Sequence, residues 1–119
     1  MSQTSDLNEA DVIYDWNLQG DICTPPLRRV DFVDETLRDG VQSPSVTDAR
    51  IDAKLEIVRL LDKIGVHYMD LGLPGAGPRA VEDVTILAEM IRDEALAIRP
   101  QAAARTHPND IRPIIEISE

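Results

Sequence analysis

Residues Val30 to Pro44 read VDFVDETLRDGVQSP, and this stretch decides how the chain is interpreted. It begins with a short apolar run that includes Phe32 and Val33, and it ends in a polar turn that contains a glycine. The apolar run predicts a strand at Val30–Asp34. Charged side chains directly after a strand are typical of the carboxyl end of a parallel sheet, where functional residues gather. We therefore expect the rest of the chain to hold this turn in place.

Three strand–helix units follow one another from Val30 onward. After Thr47, apolar residues recur at spacings of three and four, which predicts a first helix that Thr47 caps and Gly65 ends. The other predicted elements are strands at Val66–Leu73 and Gln101–Arg105, a helix at Ala80–Ala95 and a helix after Pro108 that reaches Glu119. This alternation predicts an α/β fold with a parallel sheet and right-handed crossovers.

Three units are too few to close a barrel, which takes eight units and about 250 residues. The chain is therefore either a small open α/β protein or the first part of a longer enzyme. Residues 1–28 are predicted to form an N-terminal arm, with a short strand or hairpin near Asp11–Trp16. Residues 29–119 are predicted to form one α/β domain.

Charge and composition exclude several classes of partner. The 119 residues carry a formal net charge of -10, whereas binding to nucleic acid or to an anionic membrane requires a basic face. Cys23 is the only cysteine, so an internal disulfide is impossible. The polar, acidic start is unlike a signal peptide, and no apolar run is long enough to span a membrane. We expect a cytoplasmic protein that binds small molecules.

The turn after the first strand points to a family. Asp34 to Pro44, DETLRDGVQSP, closely resembles the first-strand signature of the DRE-TIM metallolyase superfamily, whose barrels carry a pyruvate carboxyltransferase-type domain. The pattern D-x-T-L-R-D-G-x-Q fixes seven residues at the end of a predicted strand. The Ser-Pro that follows is more similar to the synthases, above all the 2-isopropylmalate synthases, than to the lyases. The resemblance implies that residues 29–119 are the first three strand–helix units of a (β/α)8 TIM barrel, incomplete in this chain.

The resemblance also implies a reaction. The synthases of this family are acyltransferases that condense an acyl-CoA with a 2-oxo acid in carboxylic and amino acid biosynthesis, with a divalent cation (Mg, Mn or Zn) as Lewis acid. The implied partners are a 2-oxo acid, acetyl-CoA and, for the full-length enzyme, a second copy in a homodimer. An N-terminal fragment would lack the full site, so we expect these 119 residues alone to be inactive.

The motif assigns roles to three residues by resemblance. Arg38 matches the arginine that stabilises negative charge developing on the keto oxygen, which is an electrostatic form of catalysis. Asp39 matches the metal-ligand aspartate, since a carboxylate oxygen suits a hard divalent ion. Gln42 would hydrogen-bond the substrate or a metal-bound water. The alternative interpretation is that Arg38 and Asp39 form an ordinary surface ion pair in a tight turn.

Three further residues are candidate substrate contacts. Asp70 stands where relatives often have a glutamate, and we expect it to contact Arg38. Arg105, at the end of the third predicted strand, could bind a substrate carboxylate, although a surface or interstrand role is equally compatible with the sequence. His107 follows that strand and is expected at the edge of the site. The segment His107–Asp110 is not the H-x-H-N-D metal motif of the family, because the second histidine is missing.

Two alternatives to condensation remain open from the sequence. One is a lyase or aldolase on the same scaffold, of the HMG-CoA lyase or hydroxy-oxovalerate aldolase type. The other is a short non-catalytic interaction module, which would need a stable fold with protected sheet edges. We expect the isolated chain to be aggregation-prone or partly molten.

Overall fold

The computed structural model describes residues 28–119, so the prediction for Asp11–Trp16 lies outside the described residues. Three short strands alternate with three helices: β1 Val33–Asp34, α1 Ile51–Ile64, β2 Tyr68–Asp70, α2 Pro78–Asp93, β3 Arg99–Gln101 and α3 Pro108–Ser118. The 3₁₀ turns Gly40–Gln42 and Pro74–Ala76 precede α1 and α2. The predicted α/β class and its strand–helix alternation are confirmed.

The strands form one parallel sheet in the order β1-β2-β3. Val33 pairs with Tyr68, and Tyr68 in turn pairs with Arg99. Because all three strands run in the same direction, the segments that follow them leave the sheet at the same edge. These three units are compatible with part of a TIM barrel, but they do not close one.

The hydrophobic core lies between the sheet and its helices. Met69 and Leu71 contribute to it from the segment of β2, and Val58 and Leu87 contribute from α1 and α2. Side chains alternate between the two faces of a strand, so Asp70 projects to the face opposite Met69 and Leu71. The core therefore fixes β2 so that one carboxylate is directed away from the helices.

The first helix begins later than the sequence predicted. Arg50, with extended backbone, precedes the helix, which starts at Ile51 rather than at Thr47. Asp48 is held instead by Lys54, whose Nζ lies 2.8 Å from the carboxylate, so the segment before Ile51 serves as a loop. Gly65 ends the helix as predicted, with a left-handed φ of 87°.

The third strand was predicted at Gln101–Arg105 but lies at Arg99–Gln101, where the sequence suggested a connection. Pro100 is tolerated because its neighbours make the bonds to β2. The Arg99 N–H donates to the carbonyl of His67, and the Gln101 carbonyl accepts from Leu71, both at 2.9 Å. Proline in a strand is compatible with pairing where its nitrogen faces away from the partner strand.

Gly75 and Asp110 lie in close contact where α3 packs against the loop after β2. A Cβ atom at Gly75 would lie 2.5 Å from the carboxyl carbon of Asp110, which is only 2% exposed. We expect Gly75→Ala to lower the free energy of unfolding by about 1–3 kcal/mol, the usual cost of overpacking, in urea titrations of the whole protein. In Gly75→Ala/Asp110→Ala the clash is gone, so the double variant should lose less than the sum of the single losses. If the two single losses in the free energy of unfolding simply added in the double variant, the close contact between Gly75 and Asp110 would be contradicted.

Within residues 28–119, none of the helices has the length and apolar character that a membrane span requires.

Candidate functional site

The turn after β1 is fixed by its own backbone. The Glu35 carbonyl accepts three N–H groups, at 3.2, 2.9 and 3.1 Å, from Arg38, Asp39 and Gly40. Just before it, the Asp34 carboxylate accepts from the N–H and the hydroxyl of Thr36, at 2.9 and 3.0 Å. These bonds define where the Arg38 and Asp39 side chains leave the chain.

Arg38 lies among three carboxylates. Its Nη2 bonds to Glu35, its Nη1 lies 3.1 Å from Asp39, and its Nε lies 3.4 Å from Asp70. The hydrogen bond to Glu35 is the main cause that raises the pKa of Arg38 above its ordinary value. The Arg38–Asp39 ion pair of the alternative interpretation is thus present, but the arginine side chain is only 27% exposed. Its Nε is buried and makes no hydrogen bond among the described residues, although it lies within ion-pair distance of Asp70.

Asp70 lies where we expected it, facing Arg38 from the end of β2. It is 7% exposed, and its Oδ1 accepts the Gly72 N–H at 3.0 Å. Burial raises the pKa of Asp70 above its ordinary value of 3.8, and neither the bond from Gly72 nor the charge of Arg38 offsets this. The carboxylate therefore holds Arg38 at a cost to the stability of the fold.

Asp70→Asn tests this cost. The pKa of Asp70 is higher in the folded than in the unfolded chain. Its contribution to the stability of the fold is therefore most favourable below pH 3.8, and this contribution is lost as the pH rises through the raised pKa. At pH 7 the uncharged asparagine should keep or raise Tm by up to about 4 °C. A clear drop in Tm at pH 7 would contradict the conclusion that the charged Asp70 carboxylate lowers the stability of the fold.

Arg38 and Gln42 share one cavity. It has a volume of about 370 Å³ and lies between the Arg38 turn, the start of α1 and the start of α2. Gln42 is exposed at the end of the 3₁₀ turn and lines this cavity. Of the predicted site residues, the structure thus groups Arg38 with Asp39, Asp70 and Gln42.

Arg105 and His107 are placed differently. The Arg105 guanidinium bonds to Asp110 through Nε at 2.6 Å and Nη2 at 2.9 Å, and these bonds are the main cause that lowers the pKa of Asp110. His107 is exposed and caps α3, because its Nδ1 accepts the Asn109 N–H at 3.2 Å. Neither residue lines the cavity that Arg38 and Gln42 share. Their contact with substrate stays a prediction, and for Arg105 it requires that the guanidinium leave Asp110.

The residues present do not by themselves fit a metal ion. Between residues 28 and 119, no three His, Cys, Asp or Glu side chains lie close enough together to hold one. Asp39 offers a single carboxylate that is 70% exposed and already shares an oxygen with Arg38. Divalent cations in proteins take several ligands, so Asp39 is at most one member of a larger set.

Sequence reasoning missed a buried charge cluster beside the cavity. Lys54 is 6% exposed, and its Nζ lies 2.8 Å from both Asp48 and Asp83. Burial alone would lower the pKa of Lys54, but the hydrogen bonds to these two carboxylates outweigh it and raise the pKa. Arg79 joins the cluster through Asp48, at 3.3 Å. The available signal was the position of Lys54, three residues after Ile51 and thus on the apolar face of α1.

Comparison with known proteins identifies relatives of this chain. Residues 29–117 match the HMGL-like family. The chain is 39% identical over 84 residues to a 2-isopropylmalate synthase of Heliobacterium modesticaldum, a match that covers 71% of this chain and 15% of the relative. It is 34% identical over 90 residues to the 2-isopropylmalate synthase of Bacillus cytotoxicus, covering 76% and 17%. The chain thus spans about a sixth of the length of these relatives.

Proposed function

The chain belongs to the HMGL-like family, and from this premise we propose that the whole protein is an acyltransferase that condenses an acyl-CoA with a 2-oxo acid, as a 2-isopropylmalate synthase does. Residues 29–119 would be the N-terminal part of its pyruvate carboxyltransferase-type barrel domain. The observation that carries the proposal is the Arg38 guanidinium, which is held by Glu35, Asp39 and Asp70 at the carboxyl edge of a parallel sheet.

The proposed reaction needs a cation where Arg38 stands. The methyl carbon of the thioester loses a proton and attacks the keto carbon, so negative charge collects on the keto oxygen before a proton neutralises it. Water then hydrolyses the thioester and releases the thiol of coenzyme A. A guanidinium fixed before the reaction stabilises the developing charge without reorganising. Nη1 and Nη2 each carry two hydrogens, and a hydrogen that is not directed at Asp39 or Glu35 would be the donor for that oxygen.

Other residues take supporting roles in this proposal. Asp39 would supply one ligand to a divalent cation, Mg, Mn or Zn, whose remaining ligands lie outside residues 28–119. Gln42 would hydrogen-bond the substrate from the wall of the shared cavity. Asp70 would position Arg38 rather than touch the reacting atoms. From composition and resemblance we further propose a cytoplasmic protein that forms a homodimer.

The test is an assay of free thiol on the protein as its source cell produces it. Acetyl-CoA and Mg²⁺, Mn²⁺ or Zn²⁺ are supplied with a panel of 2-oxo acids. We expect thiol release that depends on one of the oxo acids and on the cation. The lyase alternative predicts instead that 3-hydroxy-3-methylglutaryl-CoA is cleaved to acetyl-CoA and acetoacetate, and the aldolase alternative predicts that 4-hydroxy-2-oxovalerate is cleaved to pyruvate and acetaldehyde. Absence of condensation and of both cleavage activities would favour the non-catalytic interaction module.

A further inference from the structure

The cavity that Arg38 and Gln42 share continues away from the turn towards α2. We name this space of about 370 Å³ the α2 cavity. Its volume lies in the range of small-molecule sites. Much of its wall is apolar and comes from the turn, from the segment after β2 and from the first half of α2: Leu37, Val41, Leu71, Leu73, Ala80 and Val84. A wall of this kind favours an occupant with an apolar body.

The polar groups at the far side of the α2 cavity are already matched. Lys54 and Arg79 supply two positive charges, and Asp48 and Asp83 supply two negative charges. Because the charges of these four side chains balance, this wall gains little from a charged ligand. The cavity therefore suits an uncharged occupant better than a phosphate or a carboxylate.

The near side of the α2 cavity is the Arg38 turn. In the proposed reaction the thioester must place its methyl carbon beside the keto carbon, whose oxygen faces Arg38. The part of the thioester that begins at sulfur then has to extend away from Arg38. In an acyl-CoA this part is a flexible, uncharged arm that carries amide groups, and the α2 cavity offers an apolar path with the Gln42 amide beside it.

We propose that the α2 cavity binds the uncharged, amide-bearing arm of the acyl thioester, with Gln42 hydrogen-bonding one of its amides. This inference rests on the proposed function. It adds to the motif residue Gln42 three wall residues from outside the motif, Leu73, Ala80 and Val84, and assigns them a role in accepting the second substrate.

Ala80→Leu in the whole protein tests the inference, because the larger side chain fills part of the α2 cavity without weakening the helix. We expect the KM for acetyl-CoA to rise about tenfold or more, as when a pocket loses room for part of a substrate. The KM for the oxo acid and kcat should change little. With S-acetyl-N-acetylcysteamine, which lacks most of the arm, the variant and the wild type should be alike. A rise in the KM for the oxo acid alone, or no change in either KM, would overturn the proposal.

Ala53→Leu is the matched control, since Ala53 is exposed on α1 and does not line the cavity. Circular dichroism and a thermal melt establish that both variants fold, and Ala76→Leu replaces Ala80→Leu if the latter does not.

If the wild type turns over no pair of substrates, the proposed function fails, and calorimetric titration with pantetheine still tests the cavity. Binding by the wild type that Ala80→Leu weakens would support the site, and no binding would reject it.

Discussion

Replacing Arg38 by alanine is expected to lower kcat of the whole protein by about 10²–10³-fold, the usual loss when a fixed donor to a developing oxyanion is removed. The reason is the placement of the guanidinium, which Glu35, Asp39 and Asp70 hold in one orientation. KM for the oxo acid should change less than kcat, because the interaction is made mainly in the transition state. Steady-state kinetics at saturating acetyl-CoA measure both quantities.

Two further variants distinguish oxyanion stabilisation by Arg38 from an effect of its positive charge alone and from an effect of removing any arginine. Arg38→Lys keeps a positive charge but loses the planar fork, so it should recover only part of the activity. Arg112→Ala removes an arginine that is exposed on α3, far along the chain from the turn, and should leave kcat unchanged. Full activity in Arg38→Ala would show that the cluster of carboxylates around Arg38 serves the fold alone.

Replacing Lys54 by alanine is expected to cost about 3 kcal/mol in the free energy of unfolding, at the lower end for a broken buried ion pair. Lys54 is 6% exposed and joins α1 to α2 through Asp83, and its loss leaves Asp48 and Asp83 without their closest cation. The cost stays moderate because the Asp48 side chain is 40% exposed and Arg79 remains near it. Urea titration of the whole protein measures the change.

A second ion pair between the same helices provides the control. Arg59 of α1 bonds to Glu94, at the end of α2, with both side chains about 40% exposed. Because water and salt screen an exposed pair, Arg59→Ala should cost much less than Lys54→Ala. The triple variant Lys54→Met/Asp48→Asn/Asp83→Asn removes all three charges and should recover most of the stability. Equal losses in Lys54→Ala and Arg59→Ala would contradict the buried role of Lys54.

The parts of the site that depend on local sequence could be predicted. The apolar run before Asp34 and the charges after it place Arg38 at the carboxyl edge of a sheet, and the structure has it there. The spacing of strands and helices also indicates a parallel sheet, which brings the end of β2, with Asp70, next to this turn. The contact of Asp70 with Arg38 follows from that register.

The parts that depend on long-range side-chain pairing could not be predicted. Lys54 and Asp83 are 29 residues apart, and nothing in either segment indicates the other. The role of Asp48 also depends on such a pair, because it contacts Lys54 and lies before α1 rather than in its first turn. Arg105 was predicted as a candidate for substrate binding, but in the structure its guanidinium bonds to Asp110 of α3. Each of these contacts depends on how helices pack, which periodicity alone does not specify.

The central claim is that the whole protein forms a carbon–carbon bond between an acyl-CoA and a 2-oxo acid. The most direct measurement supplies acetyl-CoA labelled with ¹³C in both acetyl carbons, together with the oxo acid that promotes thiol release, and identifies the product by mass spectrometry. Condensation predicts a hydroxy diacid that contains the oxo acid and both labelled carbons. Label recovered only as free acetate would show that the thioester is merely hydrolysed, and the claim would be wrong.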